Sequence, residues 1–334
     1  MFPSRTMILA VVTVFVAGVL SISGAQAKSE ENQAEKLWLH ALEGNPVGVK
    51  KALDQGADVN FPSKSGMTPL MWSVQEGHDE IASYLLKKGA DVNAFHLRGG
   101  CSALILAAEW LRPEMVDLLI EHGADTNLTT KRHWTALLKT ADLKVKDAEE
   151  GKKQIRIAQS LLAKGADVKA ANGDGRTALI LAANRGNVEM IQLLLKQGTP
   201  VDARDREGYT ALMMAALGGH DKAVAALLEN KADPEIRHPC GCTALMFAAE
   251  KGHDKVLQGL IDKGADVNSK GEDGMTALML ASKNGRVDAV AALIAAKALV
   301  NEVNKEGATA RLLATEFGHD EVQMLLKEAG GRCL

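Results

Sequence analysis

The sequence predicts an all-α solenoid of about nine helix–turn–helix units, joined by loops that contain tight β-turns. A Gly-x-Thr-Ala-Leu-like phrase recurs with its first residues 33 or 34 positions apart, except for one gap of 42. A fixed period of this size indicates stacked units rather than one globular core. Apolar residues also fall at helical spacing in two short stretches per copy. The phrase opens repeats 1 to 7 and a terminal unit at Gly66, Gly100, His133, Gly175, Gly208, Gly241, Gly274 and Gly307.

Each copy contains the signals that begin and end a short helix. In repeat 5, Thr210 precedes the first apolar stretch, and a threonine hydroxyl can accept a free backbone N–H at a helix start. Paired alanines such as Ala215 and Ala216 let two helices approach closely. A glycine before Ala-Asp, as at Gly264, suits the left-handed residue that ends the second helix. The order is therefore helix, turn, helix and a loop rich in Asp, Asn and Gly.

Two copies replace the glycine that ends the second helix. Lys231 and Lys297 stand at that position, so we expect both lysines to adopt a left-handed conformation. Such a conformation costs a non-glycine residue about 1–2 kcal/mol. These two helix ends are therefore predicted to be weak points of the array.

With these residues in view, the chain resembles the ankyrin repeat family over roughly residues 35 to 334. The phrase at Thr68 to Met71 comes closest to the family's Thr-Pro-Leu-His, and the closing Gly-Ala-Asp-Val-Asn is intact at Gly56, Gly89 and Gly264. The resemblance implies a right-handed stack in which each unit is a β-turn followed by two antiparallel helices. It also implies that loop tips and inner helices line a concave face that holds protein partners.

The ends and one insertion depart from the regular unit. Residues 34–65 lack the opening phrase and read as an amphipathic N-terminal cap, and residues 307–334 read as a C-terminal cap, because end units need a polar outer face. Repeat 3 is too long, with the excess at about 143–153, between its two helices. The insertion is either a solvated helical extension or loop, or a charged protrusion that touches a partner.

Residues 1–27 are predicted to be a secretory signal peptide. Arg5 supplies the positive charge, an apolar run extends from Met7 to Leu20, and Ala25-Gln26-Ala27 is a cleavage site. We expect an exported mature chain that begins at Lys28 and lies in the periplasm if the source is Gram-negative, and is otherwise secreted. An uncleaved membrane anchor is the alternative, although the apolar run is short for a span of about 20 residues.

Removing residues 1–27 takes away Arg5 and no acidic residue, so the formal charge changes from −3 to −4. This near balance gives no case for nucleic-acid binding through a basic field. No nucleophile elbow, H-E-x-x-H motif or phosphate-binding glycine loop is present. We therefore expect a non-enzymatic protein without cofactor, monomeric and without membrane contact once the signal is removed.

One cluster could carry chemistry. His238, Cys240 and Cys242 surround the opening glycine of repeat 6. They are ordinary loop residues, or a redox-active Cys-x-Cys pair, or weak candidate ligands for a soft metal. One residue between the cysteines is too few for a closed zinc site. If functional, the cluster makes the protein a thiol, metal or oxidative-stress accessory protein.

The positions that differ between copies predict the partner site. Exposed Trp, Tyr and Arg are the residue types enriched in binding hot spots. The resemblance places seven of them on the concave face of repeats 2 to 5, and their partner should be a protein with an acidic patch around an apolar centre. An inhibitor or chaperone-like accessory of an exported enzyme is a further possibility. The seven residues are Arg98, Trp110, Arg132, Trp134, Arg176, Arg206 and Tyr209.

Overall fold

A computed structural model describes residues 25–96 and 99–333 of the chain, with side chains from Gln33 onward. This part of the chain forms eighteen helices in nine consecutive pairs and contains no strand, which confirms the predicted all-α solenoid. Residues 1–24, which hold most of the predicted signal peptide, lie outside the described residues. The helices are α1 Ala25–Glu43, α2 Pro46–Asp54, α3 Pro69–Glu76, α4 Asp79–Lys87, α5 Ala103–Glu109, α6 Pro113–Glu121, α7 Ala136–Ala141, α8 Ala148–Ala163, α9 Ala178–Arg185, α10 Val188–Lys196, α11 Ala211–Leu217, α12 Asp221–Glu229, α13 Ala244–Lys251, α14 Asp254–Asp262, α15 Ala277–Lys283, α16 Val287–Ala295, α17 Ala310–Glu316 and α18 Asp320–Glu328.

The first helix of each repeat begins where the sequence predicts. The Thr210 side chain accepts the N–H of Met213 at 3.3 Å, and Thr68 does the same for Met71 at 3.2 Å. Capping of this kind is worth about 1 kcal/mol per helix. Thr243 of repeat 6 is the exception, because its buried hydroxyl makes no capping bond.

The helices form two layers, with first helices packed on first helices and second helices on second helices of neighbouring units. The paired alanines are fully buried in this contact, as predicted; Ala182, Ala183, Ala215 and Ala216 each expose 0% of their surface. Within the described residues, the longest and most apolar helices still fall short of what a membrane span requires.

Histidines at the start of four second helices fasten their units to the preceding ones. The Nε2 atom of His220 lies 3.1 Å from the carbonyl oxygen of Asn184, 36 residues earlier. His78, His253 and His319 repeat this contact at the same separation, to Leu42, Leu217 and Lys283. A ring nitrogen that faces a carbonyl must donate, so these bonds cover carbonyls that the ends of first helices leave free.

A second row of bonds joins the bases of successive loops. Asn93 accepts the N–H of Asp125 at 2.9 Å and donates its amide to the Gly123 carbonyl at 3.2 Å. Asn60 and Asn127 make the same two contacts with their next loops. Each asparagine thus gives a hydrogen-bond partner to one backbone N–H and one carbonyl that follow the second helix of the next unit.

Lys231 and Lys297 adopt φ angles of 66° and 65°, which confirms the predicted left-handed conformation. His133, which replaces an opening glycine, has a φ of 58°. The backbone of all three residues is therefore strained in a way that glycine would avoid at the same positions.

The extra residues of repeat 3 lengthen its second helix. Helix α8 has 16 residues, whereas the second helices of the other repeats have nine. Its Gln154 is completely buried and donates to the carbonyls of Thr140 and Leu143 at 2.6 and 3.3 Å. The Gln154 Oε1 atom accepts the amide of Asn187, on the next repeat, at 2.6 Å. The insertion is therefore fixed to the array by its own buried amide.

Candidate interaction face

We call the surface formed by the loop tips and the first helices the loop face. Loop 198–208 shows how a tip is built: Asp205 and Tyr209 pair through a 3.0 Å backbone bond, and Gly208 closes the turn with a 3.0 Å bond to the Asp205 carbonyl. The Asp205 carboxylate accepts two further N–H groups, from Glu207 and Tyr209, at 3.0 and 2.9 Å. Arg206 and Glu207 therefore project from a rigid tip.

The loop face of repeats 2 and 3 carries two of the predicted tryptophans. Trp110 directly follows helix α5 as its C-cap and is 46% exposed. Trp134 is half-buried, with the ammonium of Lys139 5.2 Å from its ring centre. Lys139 also forms a 3.1 Å ion pair with Glu109, the residue before Trp110. A cation over an indole contributes about 0.5–1 kcal/mol at an exposed site, so the side chains of Glu109, Lys139 and Trp134 are ordered before any partner binds.

The side chain of Arg176 is held by ion pairs with the next loop. Its Nε atom lies 3.1 Å from the Asp205 carboxylate, which is fully buried, and its Nη2 atom lies 3.8 Å from Glu207. The guanidinium charge is thus compensated by two acidic groups of the next loop. Arg176 fixes the position of loop 198–208 instead of offering a free cation to a partner.

The remaining predicted arginines lie at loop tips. Arg132 and Arg206 have exposed side chains. Their backbones are ordered, because Arg132 accepts the N–H of Gly173 at 2.8 Å and Arg206 donates to Asp174 at 2.9 Å. Arg98 lies outside the described residues. The structure therefore presents two of the four predicted arginines as exposed cations.

Tyr209 belongs to an aromatic cluster that crosses from repeat 5 to repeat 6. Its ring centre lies 4.3 Å from that of His238 and 5.7 Å from that of Phe247, and the last two rings are also 5.7 Å apart. Burial raises the pKa of the Tyr209 phenol, and the charge of Glu207 raises it further. Tyr209 is therefore a neutral, half-buried contact residue beside the cysteine pair.

The cysteine pair lies at the tip of loop 231–241. The Sγ atom of Cys240, which is exposed, lies 3.0 Å from Nδ1 of His238. Burial raises the pKa of Cys242 to about 12, with further contributions from a hydrogen bond to Cys240 and from the negative charge of Cys240. In the described part of the chain these cysteines are free thiols, and no group of three or more His, Cys, Asp or Glu side chains is placed to hold a metal ion.

A backbone bond links most successive loop tips. The donor is the backbone N–H of the residue two positions before the opening residue of a repeat. The acceptor is the carbonyl of the residue directly before the opening residue of the preceding repeat. Gly173 donates to Arg132 in this way at 2.8 Å, and Glu272 donates to Cys240 at 2.9 Å. Pro239 stands at this donor position and has no N–H. The carbonyl of Glu207 therefore lacks this bond, and between residues 131 and 305 this is the one interruption in the row.

Three features of the loop face were not predicted from the sequence. Lys139 occupies a position that the other repeats fill with Leu, Met, Phe or Trp, and this departure from the apolar pattern could have been recognised in the sequence. The ring stacking of His238 depends on the fold, although its spacing from Tyr209 and Phe247 follows the repeat. The missing hydrogen bond at Pro239 can be recognised only once the structure shows which residue donates its N–H at the other loop tips.

Comparison with known proteins agrees with this architecture. A family model described as ankyrin repeats, in three copies, matches residues 37–130, 146–238, 227–304 and 245–333. The human ankyrin repeat and KH domain-containing protein 1 is 36% identical over 107 residues, which is 32% of this chain and 4% of that protein.

Two further relatives have the same character. An ankyrin repeat protein of fowlpox virus is 30% identical over 186 residues, 53% of this chain and 52% of its own length. The mouse ankyrin repeat and SOCS box protein 6 is 35% identical over 134 residues, 40% of this chain and 30% of its own. The chain therefore matches about half or less of each of these relatives. Ankyrin repeats generally mediate protein–protein interaction, and proteins built from them are typically non-enzymatic scaffolds. The matched segments, the helix pairs and the loop bonds together show that the chain belongs to the ankyrin repeat family.

Proposed function

We propose that the chain is a non-enzymatic binding protein that holds another protein against the loop face of repeats 2 to 6. The observation that carries this proposal is the ordered group around Lys139. Lys139 pairs with Glu109 and lies over the ring of Trp134, and the 46% exposed Trp110 directly follows Glu109 in the chain. An aromatic side chain that is already held by a neighbour, as Trp134 is by Lys139, loses little conformational freedom on binding.

The partner's surface should be apolar at its centre and acidic at its edge. Trp110 and Tyr209 supply aromatic contact area, while the exposed guanidinium groups of Arg132 and Arg206 flank them at loop tips. Rim charges of this kind mainly steer association and select partners. Arg176 is expected to contribute by positioning loop 198–208, because Asp205 and Glu207 already compensate its charge.

The same proposal includes an exported, monomeric chain. Export is supported by the sequence of residues 1–27, with one arginine, an apolar run and the Ala25-Gln26-Ala27 site. The partner would then be another exported protein, periplasmic in a Gram-negative source. N-terminal sequencing of the secreted or periplasmic fraction should read Lys28 first, and recovery of the intact leader in the cytosol would remove this part of the proposal.

The binding function is tested by affinity capture from periplasmic extract with the mature chain and a Trp110→Ala/Arg206→Ala variant. Loss of one hot-spot residue costs about 2 kcal/mol or more, and every 1.4 kcal/mol is tenfold in affinity. We therefore expect recovery of the specific partner to fall at least tenfold, by this order-of-magnitude conversion. Both side chains are exposed, so the variant should melt at the native temperature.

A matched control removes one apolar side chain and one cation from second helices. Met324 is 61% exposed on α18, and Lys222 is exposed on α12. The Met324→Ala/Lys222→Ala variant should capture as much partner as the native chain. Equal recovery with the Trp110→Ala/Arg206→Ala variant would show that the loop face is not the binding site.

A further inference from the structure

The thiol of Cys240 has a base within reach. Its Sγ atom lies 3.0 Å from the Nδ1 atom of His238, and the side chain is exposed. The backbone N–H of Cys240 also points to Nδ1, at 3.3 Å. An N–H can only donate, so Nδ1 is the unprotonated nitrogen and the ring proton is on Nε2. The lone pair of Nδ1 therefore faces the Cys240 thiol and can accept its proton.

The imidazole is held in place from the other side. The rings of Tyr209 and Phe247 lie 4.3 and 5.7 Å from that of His238. The tip itself is closed by a 2.7 Å bond from Gly241 to the His238 carbonyl, with Pro239 at the first central position of the turn. The thiol and its base are thus carried on the same four-residue turn, and the base is fixed by packing.

We propose that Cys240 is a modification site, a reactive thiol that forms mixed disulfides with small exposed disulfides while His238 acts as its base. Thiol–disulfide exchange needs a thiolate, access and a disulfide, and the first two are supplied by this turn. The reaction needs no partner protein, so it is independent of the binding function proposed above.

The exchange balances without any further oxidant. Nδ1 of His238 accepts the proton of Cys240, and Sγ attacks one sulfur of the disulfide. A new S–S bond forms while the S–S bond of the reagent breaks. The released thiolate takes the proton back from His238 and leaves as a thiol. The sulfur of Cys240 is oxidised, and the departing sulfur is reduced.

Cys242 and Cys101 are less exposed than Cys240. Burial and the neighbouring Cys240 raise the pKa of Cys242 to about 12, so its thiol stays protonated at neutral pH and attacks slowly. An adduct on Cys240 should therefore persist rather than be displaced by Cys242. Burial likewise raises the pKa of Cys101. Cys333 is exposed near the end of the chain and serves as an internal reference.

The test is a competition between thiols of one chain. The folded protein is treated at pH 7 with less than one equivalent of bis(2-hydroxyethyl) disulfide, which is neutral and small, then acidified, digested and analysed by mass. We expect at least about ten times more adduct on Cys240 than on Cys333, the order of difference that separates activated from ordinary thiols. Equal labelling of the two cysteines would overturn the proposal.

A His238→Phe variant separates chemistry from packing, because phenylalanine keeps an aromatic ring against Tyr209 and Phe247 but has no basic nitrogen. The ratio of adducts should fall to within about twofold of unity, while the rate at Cys333 stays at its native value. A preference for Cys240 that survives this substitution would overturn the role of His238. If the native chain instead forms mainly a Cys240–Cys242 disulfide, Cys242 displaces the adduct, and the expectation that the adduct persists is wrong.

Discussion

The first loops of the array and loops 198–208 and 231–241 are joined to their neighbours in different ways. In the first group, Asn60, Asn93 and Asn127 each bond two backbone groups of the next loop. In the second group, Asp202 replaces the asparagine and makes only the 3.1 Å bond from Asp233. At the tip, Pro239 removes the backbone donor altogether.

Side chains take the place of the missing backbone bonds. Arg204 donates to the Arg237 carbonyl at 3.0 Å, and the rings of Tyr209 and His238 stack across the same gap. Loops joined mainly by half-exposed side chains open locally at a lower free energy than loops joined by paired backbone groups. This difference indicates a weaker seam between loops 198–208 and 231–241, and Arg206, Tyr209 and Cys240 border it.

The largest expected effect comes from restoring the glycine that the second helix of repeat 5 lacks. Lys231 has a φ of 66°. Lys231→Gly removes about 1–2 kcal/mol of strain but adds about 0.4–1 kcal/mol of unfolded-chain entropy. We expect a net gain of about 0.5–1 kcal/mol, seen as a rise in melting temperature of about 1–2 °C and slower amide exchange in loop 231–241.

The control is a lysine with ordinary backbone geometry at the end of a second helix. Lys88 has a φ of −89°, so Lys88→Gly gains no strain relief and should lower the melting temperature. A fall with Lys231→Gly as well would show that strain at this helix end does not weaken the seam.

Completing the row of loop bonds should have a smaller effect. Asp202→Asn adds an amide that can donate to the Lys231 carbonyl, as Asn93 does to Gly123. A hydrogen bond of this kind contributes about 0.5–1.5 kcal/mol, and we expect the lower end because the site is half-exposed. The reverse change, Asn93→Asp, should destabilise the first group of loops by a similar amount.

The gain from Asp202→Asn should also depend on pH. Burial raises the pKa of Asp202, partly offset by the bond from the Asp233 N–H. The folded chain therefore holds this proton to a higher pH than the unfolded chain, so the native protein loses stability as pH rises through the folded-state pKa. Chemical denaturation should show the variant's advantage at neutral pH and a smaller one after acidification through that pKa. An advantage that does not change with pH would mean that Asp202 carries no such cost.

The smallest effect on stability is expected at the loop tip. Pro239→Ala restores an N–H opposite the Glu207 carbonyl but loses the stiffness of proline at the first central position of the turn. These contributions are each about 0.5–1 kcal/mol and oppose one another, so the melting temperature should change little. Hydrogen exchange should show a protected amide at position 239, and a fast-exchanging amide there would mean that the two tips do not approach closely enough to bond.

Most of the fold could be predicted from the sequence because the signals of one helix pair recur in every repeat. The N-cap threonines, the buried alanine pairs and the left-handed Lys231 are local consequences of helix geometry, and the repeat fixes which helix packs on which. The histidines that bond a carbonyl 36 residues earlier follow the same register, although their partners need the stacked structure.

The candidate site was less predictable because it depends on contacts between units. Exposure of Trp110 follows from its place at a helix end, but the compensation of Arg176 by Asp205 depends on how far two loops reach toward each other. The ordering of Trp134 depends on Lys139, a single departure from an apolar slot. Such contacts are set by side-chain length and direction, which the spacing of a repeat does not encode.

The buried amide of Gln154 has a consequence for anyone who wishes to graft the long helix of repeat 3 into another array. Because one side chain closes contacts to Thr140 and Leu143 within its own unit and to Asn187 in the next, the extension and the following unit form one transplantable module. Moving the helix without Asn187 would leave a buried acceptor without its donor, and the graft would carry that cost into its new host.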